Sequence, residues 1–136
     1  MIRDKTIAAI VVAAGTGSRA GTASDLPKQY RPIAGVPLLS RTVNALIDHA
    51  GIDWVMPVIH AGHADAYAAL GIENDRILAP VSGGDSRQSS VRAGLEALSP
   101  RRPDLVLIQD AARPFLDASV IDGVIDALAT HEGALP

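Results

Sequence analysis

The chain has 136 residues, 48% of them hydrophobic and 20% charged, with a formal net charge of −3 and no cysteine. That is one domain with enough apolar content for a core, so disorder is excluded as the default. Disulfides, thiolate metal sites and cysteine nucleophiles are excluded too, which fits a reducing, cytoplasmic setting, while the slight acidity argues against broad nucleic-acid binding and the 3% aromatic content against base-stacking platforms.

The apolar, β-branched run Ile7–Ala13 predicts a buried strand. It is too short to span a bilayer, so no membrane partner is expected. Behind Arg3 and Lys5 it has the make-up of a secretory h-region, but it feeds a phosphate-type loop and the pattern continues in register, which favours a strand. The run breaks at Ala14-Gly15-Thr16-Gly17-Ser18-Arg19-Ala20-Gly21, and Leu26-Pro27-Lys28-Gln29 follows. Gly15, Gly17 and Gly21 lack a Cβ, so a phosphate can lie against their main-chain N–H groups. Arg19 and Lys28 add positive charge over the same place. The combination suits a nucleoside triphosphate.

Further along, Leu39, Val43, Leu46 and Ile47 form a helical stripe within 38–50. Residues 54–59 read as a second strand, whose Pro57 argues for an edge, an end or a bulge. Residues 64–70 read as a short alanine-rich helix stopped by Gly71, and 76–79 as a third strand. Gly83-Gly84-Asp85 is a turn, and Asp85 or Ser86 caps a helix with Val91, Leu95 and Leu98 on one face. After a loop at 99–103, Leu105–Ile108 reads as a fourth strand ending in Gln109-Asp110. Asp117 or Ser119 then opens a helix with Val120, Ile121, Val124, Ile125 and Leu128 inward. The alternation predicts a Rossmann-like α/β fold, an open, mostly parallel sheet with helices on both faces. In such sheets ligands bind beyond the carboxyl ends of the strands. The glycine loop, the Gly83–Asp85 turn and the Asp110–Pro114 turn all fall on that edge. The closing stretch His131–Pro136 reads as a turn leading into another strand, so an apparently incomplete sheet and a longer polypeptide are expected.

Each loop has rival readings. Gly15–Ala20 satisfies G-x-G-x-x-G/A, but a dehydrogenase needs an acid about twenty positions on, and Ile33–Leu39 has none. A P-loop needs Gly-Lys-Ser/Thr, which is absent. Asp85 is either an N-cap or, with the Gly83 and Gly84 backbone and Ser90, a partner for a base or its ribose. Asp110 is either a Mg²⁺ ligand shared with phosphate oxygens or an Asx residue paired with Arg113. His60 and His63 lack an acidic third ligand nearby in sequence, which disfavours zinc, and His49 and His131 read as ordinary helix-end residues. No G-x-S-x-G elbow surrounds Ser89 and Ser90, so a hydrolase triad has no support.

Taken in order, Ala13–Arg19, Pro27–Tyr30, Gly83–Val91 and Asp110–Pro114 resemble the motifs of the 2-C-methyl-D-erythritol 4-phosphate cytidylyltransferases of the non-mevalonate isoprenoid pathway. The resemblance implies a fold of the nucleotide-diphospho-sugar transferase type. It implies transfer of CMP from CTP to methylerythritol phosphate, with release of pyrophosphate and a requirement for Mg²⁺. By the same resemblance Arg19 and Lys28 would stabilise the transition state, and Ala13, Ala14, Gly15, Thr16 and Gly17 would cradle the triphosphate. Gly83, Gly84, Asp85 and Ser90 would recognise cytosine, and Asp110 with the Ala111 backbone would sit near ribose and metal. Ala20 stands where the family usually has a larger residue, and the stretch from Arg19 to Lys28 is slightly long. The family's acceptor-holding residues and homodimer arm lie beyond Pro136, and in some bacteria the domain is fused to a cyclodiphosphate synthase. Rival readings are a ribitol-phosphate or sugar-1-phosphate nucleotidyltransferase, a nucleotide-binding fragment without activity, and a Rossmann oxidoreductase.

Overall fold

A computed structural model describes residues 5–14, 28–111 and 118–128, the side chains of Lys28, Ile33 and Ala118 lying outside that description. Strand β1 (Ile7–Ala13) is almost wholly buried, because it runs between two neighbours and is covered on both faces. Its neighbours are β4 (Trp54–Ile59) and β6 (Leu105–Asp110), both parallel to it, and β5 (Val81–Ser82) pairs parallel with β4. The order β5-β4-β1-β6 is the open parallel sheet that the sequence predicts. Asp53 and Asp104, each just before a flanking strand, fasten the start of β1. Their carboxylates accept from the Ile7 and Thr6 amides at 2.8 Å.

Helices cover both faces. Alternate β1 residues Ile7, Ala9, Val11 and Ala13 pack with α1 (Leu38–Ile47), with Tyr67 of α2 (Ala64–Ala69) and with Ile121 and Ile125 of α4 (Ala118–Leu128). Ala8, Ile10 and Ala14 face the other way, toward Leu98 of α3 (Arg87–Leu98). The expected stripe Leu39, Val43, Leu46 and Ile47 is buried. Helix α1 ends at Ile47 rather than continuing to 50, where the Arg76 guanidinium takes the carbonyls of Ile47 and Ile52. In α4 only Ile121 and Ile125 are fully buried, Val120, Val124 and Leu128 being intermediate.

Two expectations need correction, and one element is added. Residues 76–79 are not a strand. They make a single bridge, Val55 to Ile77, and β5 follows at 81–82. The cause is a proline in β4. Val55 and Ile59 hydrogen-bond toward the β5 side, so Pro57 between them faces that side as well and cannot donate. Pro57 therefore sits in an interior strand, neither at an edge nor at an end. The pairing register slips by one residue between Val55–Ile77 and Val58–Val81, a bulge on the partner side that absorbs the missing bond.

Leu95 is 43% exposed, and α3 instead faces the sheet through Ser90, Gly94 and Leu98. A Cβ on Gly94 would stand 3.0 Å from Ile10 Cγ2 and 3.1 Å from Val58 Cγ2, so the helix lies closer to the strands than a leucine face allows. The added element is a two-residue hairpin, β2 (Pro32–Ile33) and β3 (Val36–Pro37), which turns through Ala34 and Gly35, both at positive φ, immediately before α1.

Candidate active site

The carboxyl ends of β1, β5 and β6 carry the residues singled out above. At the β1 exit, Ala13 and Ala14 are buried. A 3-10 turn at Lys28–Tyr30 is fastened to this exit, since the Gln29 side-chain amide donates to the Ala13 carbonyl at 3.0 Å in a buried setting. The Lys28 backbone thus lies beside the end of β1. Gly15, Thr16, Gly17 and Arg19 lie outside the described residues.

Beyond β5 the chain turns tightly at Gly83-Gly84. The Gly83 amide donates to Ile59 O at 2.8 Å, and the Gly84 amide to Ser90 Oγ at 3.2 Å. A Cβ on Gly83 would fall 2.4 Å from Ala14 Cβ and 2.6 Å from Ser90 Oγ, and one on Gly84 would fall 2.1 Å from Ser89 Oγ. Only glycine lets this turn press against the β1 exit. Ser86, not Asp85, caps α3. Its Oγ accepts from the Ser89 amide while Ser89 Oγ accepts from the Ser86 amide, both at 3.0 Å. Asp85 is left exposed, and the buried Ser90 hydroxyl holds the turn from the core side.

At the β6 exit, Asp110 Oδ1 lies 3.0 Å from Arg87 Nε, the first residue of α3. The next residue, Ala111, is buried. Its amide donates to Val12 O at 3.0 Å, and its carbonyl accepts from Thr42 Oγ1 at 2.8 Å. Thr42 is fully buried in α1, so one hydroxyl joins that helix to the end of β6.

The β4 exit carries a different group. His60 Nδ1 accepts from the Gly62 amide at 2.9 Å, and His63 lies with its ring 4.7 Å from that of His60 and edge-on to Tyr30 at 5.4 Å. Burial, helped by Tyr67 nearby, pushes the Tyr30 hydroxyl up to about 12. Burial, then the neighbouring His60, holds His63 below its ordinary value. His49 Nε2, just past α1, lies 2.7 Å from Asp122 of α4.

The family model described as IspD, 2-C-methyl-D-erythritol 4-phosphate cytidylyltransferase, matches residues 7–136. The chain belongs to this family. It is 49% identical over 132 residues to the bifunctional enzyme IspD/IspF of Granulibacter bethesdensis, covering 96% of this chain and 32% of that protein. It is 46% identical over 130 residues to the enzyme of the same name from Rhodospirillum rubrum, covering 96% and 33%. The chain therefore spans about a third of the length of the curated relatives it matches. A solved structure of 4-diphosphocytidyl-2C-methyl-D-erythritol synthase from Anaerococcus prevotii superposes with a TM-score of 0.77 at 27% identity, over 93% of this chain and 52% of that one.

Three IspD residues at these exits were not singled out in the sequence. Gln29 and Arg87 lie inside the family motifs, so those motifs were the available signal. Thr42 has a weaker one, a polar residue inside the apolar stripe of α1. Asp110 and Ala111 are brought beside Val12, and Gly83 beside Ala14, so the described motif segments share one edge of the sheet. Among the described residues no group of three or more His, Asp or Glu gathers to hold a metal. No helix among them is long and apolar enough to cross a membrane.

Proposed function

We propose that this chain carries the nucleotide half of a cytidylyltransferase site that moves CMP from CTP to 2-C-methyl-D-erythritol 4-phosphate. The observation that carries the reading is the packing of the Gly83 turn against Ala14, with Asp110 and Ala111 held beside Val12 on the same strand. In that arrangement the amides of Ala13–Gly17 cradle the triphosphate. The Gly83-Gly84 backbone and the exposed Asp85 carboxylate meet the cytosine edge, Ser90 supporting the turn. Ala111 and Asp110 lie toward the ribose and the metal.

A phosphate oxygen of the acceptor attacks the α-phosphorus of CTP. The new P–O bond forms as the bond to the β-phosphate oxygen breaks, and pyrophosphate leaves in line. No protein nucleophile is needed. Arg19 and Lys28 neutralise charge that grows on the equatorial and bridging oxygens, and positioning supplies the rest. A lone carboxylate such as Asp110 fits Mg²⁺, a hard cation that keeps waters and phosphate oxygens as its other ligands. When bound, the ion would shield the triphosphate charge.

The test is incubation of the protein with CTP, Mg²⁺ and a panel of phosphorylated alcohols: methylerythritol phosphate, ribitol phosphate and sugar 1-phosphates. Pyrophosphate release together with the cytidyl diphosphate alcohol from methylerythritol phosphate is expected. Turnover only with another acceptor, or heat of CTP binding without turnover in the full-length protein, overturns the reading.

A further inference from the structure

The contact between Arg87 and Asp110 has the form of a contest for one carboxylate. Both side chains reach solvent, 58% and 35% exposed, yet Arg87 Nε stands 3.0 Å from Asp110 Oδ1. The arginine is not free to drift with its own backbone. It is the first residue of α3, fixed by the Ser86–Ser89 capping box, and the same helix turn carries Ser90 and abuts Gly83-Gly84. Asp110 is fixed from the other side by β6 in register with Val12 of β1. The ion pair therefore joins the α3 start to the β6 exit at the edge where the nucleotide is placed.

We propose that Arg87 is a positioning residue that keeps Asp110 from taking a bare divalent cation and yields it to one arriving with a polyphosphate. This rests on the reading of Asp110 as a cation ligand. A guanidinium hydrogen-bonded to one carboxylate oxygen cancels most of the attraction that carboxylate offers, and a cation at Asp110 stands within a few ångströms of a fixed positive charge. Mg²⁺ sheds water reluctantly, so a half-neutralised single carboxylate holds it poorly. A triphosphate changes both terms. Its oxygens supply the further ligands the ion requires, and they offer the planar arginine fork an alternative acceptor of suitable geometry. Arg87 then exchanges Asp110 for phosphate, and its own hold on that carboxylate is released as the nucleotide seats. The cation site is thereby coupled to nucleotide occupancy.

The test is Mn²⁺ titration of the nucleotide-free protein, followed by calorimetry and manganese paramagnetic resonance, for wild type, Arg87→Met, Arg92→Met and the double variant Arg87→Met/Asp110→Asn. Arg92 pairs with Glu96 on the outer face of α3, so its replacement removes the same charge elsewhere. Arg87→Met is expected to tighten Mn²⁺ binding roughly three- to ten-fold at low salt, the gain shrinking as ionic strength rises. Arg92→Met leaves binding unchanged, and the gain disappears in the double variant. Thermal melts confirm that each variant is folded. An Arg87→Met protein that binds Mn²⁺ no tighter than Arg92→Met overturns the proposal, as does a gain that survives loss of Asp110. A separate arm compares Mn·CTP affinity in Asp110→Asn and wild type. Equal affinity there removes Asp110 as a cation ligand and marks a failure of the underlying reading, whereas a weaker Asp110→Asn with no gain in Arg87→Met marks a failure of the proposal alone.

Discussion

Gln29 donates its side-chain amide to the carbonyl oxygen of Ala13, 3.0 Å away in space and 16 residues back in the chain. Gln29 is 6% exposed and the bond is buried, so water offers that carbonyl little substitute. Gln29→Leu keeps the volume and removes the donor, and is expected to cost about 1–3 kcal/mol, measured by chemical denaturation. Because the bond also fastens the turn that begins at Lys28, the variant is expected to lower kcat more than it raises KM for CTP. Stability loss with an unchanged kcat would confine Gln29 to a structural role.

Lys28→Ala tests the proposed transition-state stabilisation. In the proposed reaction a compact ammonium acts most strongly when charge has spread onto the leaving group. Turnover is expected to fall on the order of 10²–10³, as for loss of one preorganised donor, with a much smaller change in CTP affinity. Steady-state kinetics and calorimetry give the two values, and equal losses in both would make Lys28 a binding residue only.

Gly83→Ala forces a methyl into Ala14 and Ser90, at 2.4 Å and 2.6 Å. Ala14 Cβ cannot swing aside and Ser90 Oγ holds the Gly84 amide, so the turn itself must move. A loss of about 1–3 kcal/mol is expected, with CTP binding weakened if that backbone meets the base as proposed. A variant with wild-type melting temperature and wild-type CTP affinity would contradict the packing of these two loops.

The His63 imidazole is held below its ordinary value of 6.5 by burial and by His60. Between its depressed folded value and 6.5 the unfolded chain therefore binds more protons than the folded one. Stability from this residue is whole above 6.5, falls as pH drops through that window, and is fully lost below both values. His63→Gln is expected to flatten the acid side of a plot of melting temperature against pH. A slope as steep as that of wild type would assign the acid sensitivity to other groups.

How much of this could be read from the chain depended on how local the cause was. β1 declared itself because a strand covered on both faces needs an unbroken apolar run, and α1 because one buried face leaves a stripe. β5 did not, because two residues carry no periodicity, and its position follows from Pro57, which cannot donate on the β5 side, and from the one-residue slip before Val81. The inward side of α3 was misread for a related reason. Ser90 and Gly94 are small, and a close approach through small residues leaves no hydrophobic pattern, so Leu95 took their place. At the site, the glycine turn and Asp110 were legible as motifs. Their supports were not. Thr42 reaching Ala111, and Gln29 reaching Ala13, are bonds between distant segments with no local signature. Asp110 meeting Arg87, 23 positions away, is another such bond, while the alternative partner Arg113 lies outside the described residues.

Gly94 carries a warning for anyone wishing to harden this protein. Replacing a glycine inside a helix with alanine ordinarily gains about 1 kcal/mol of propensity. At this position the added methyl is a shim between Ile10 and Val58. It would tilt a rod whose tip, about 10 Å along the axis, bears Arg87. The usual helix-stabilising substitution, made here, thus trades rigidity for a misaligned mouth.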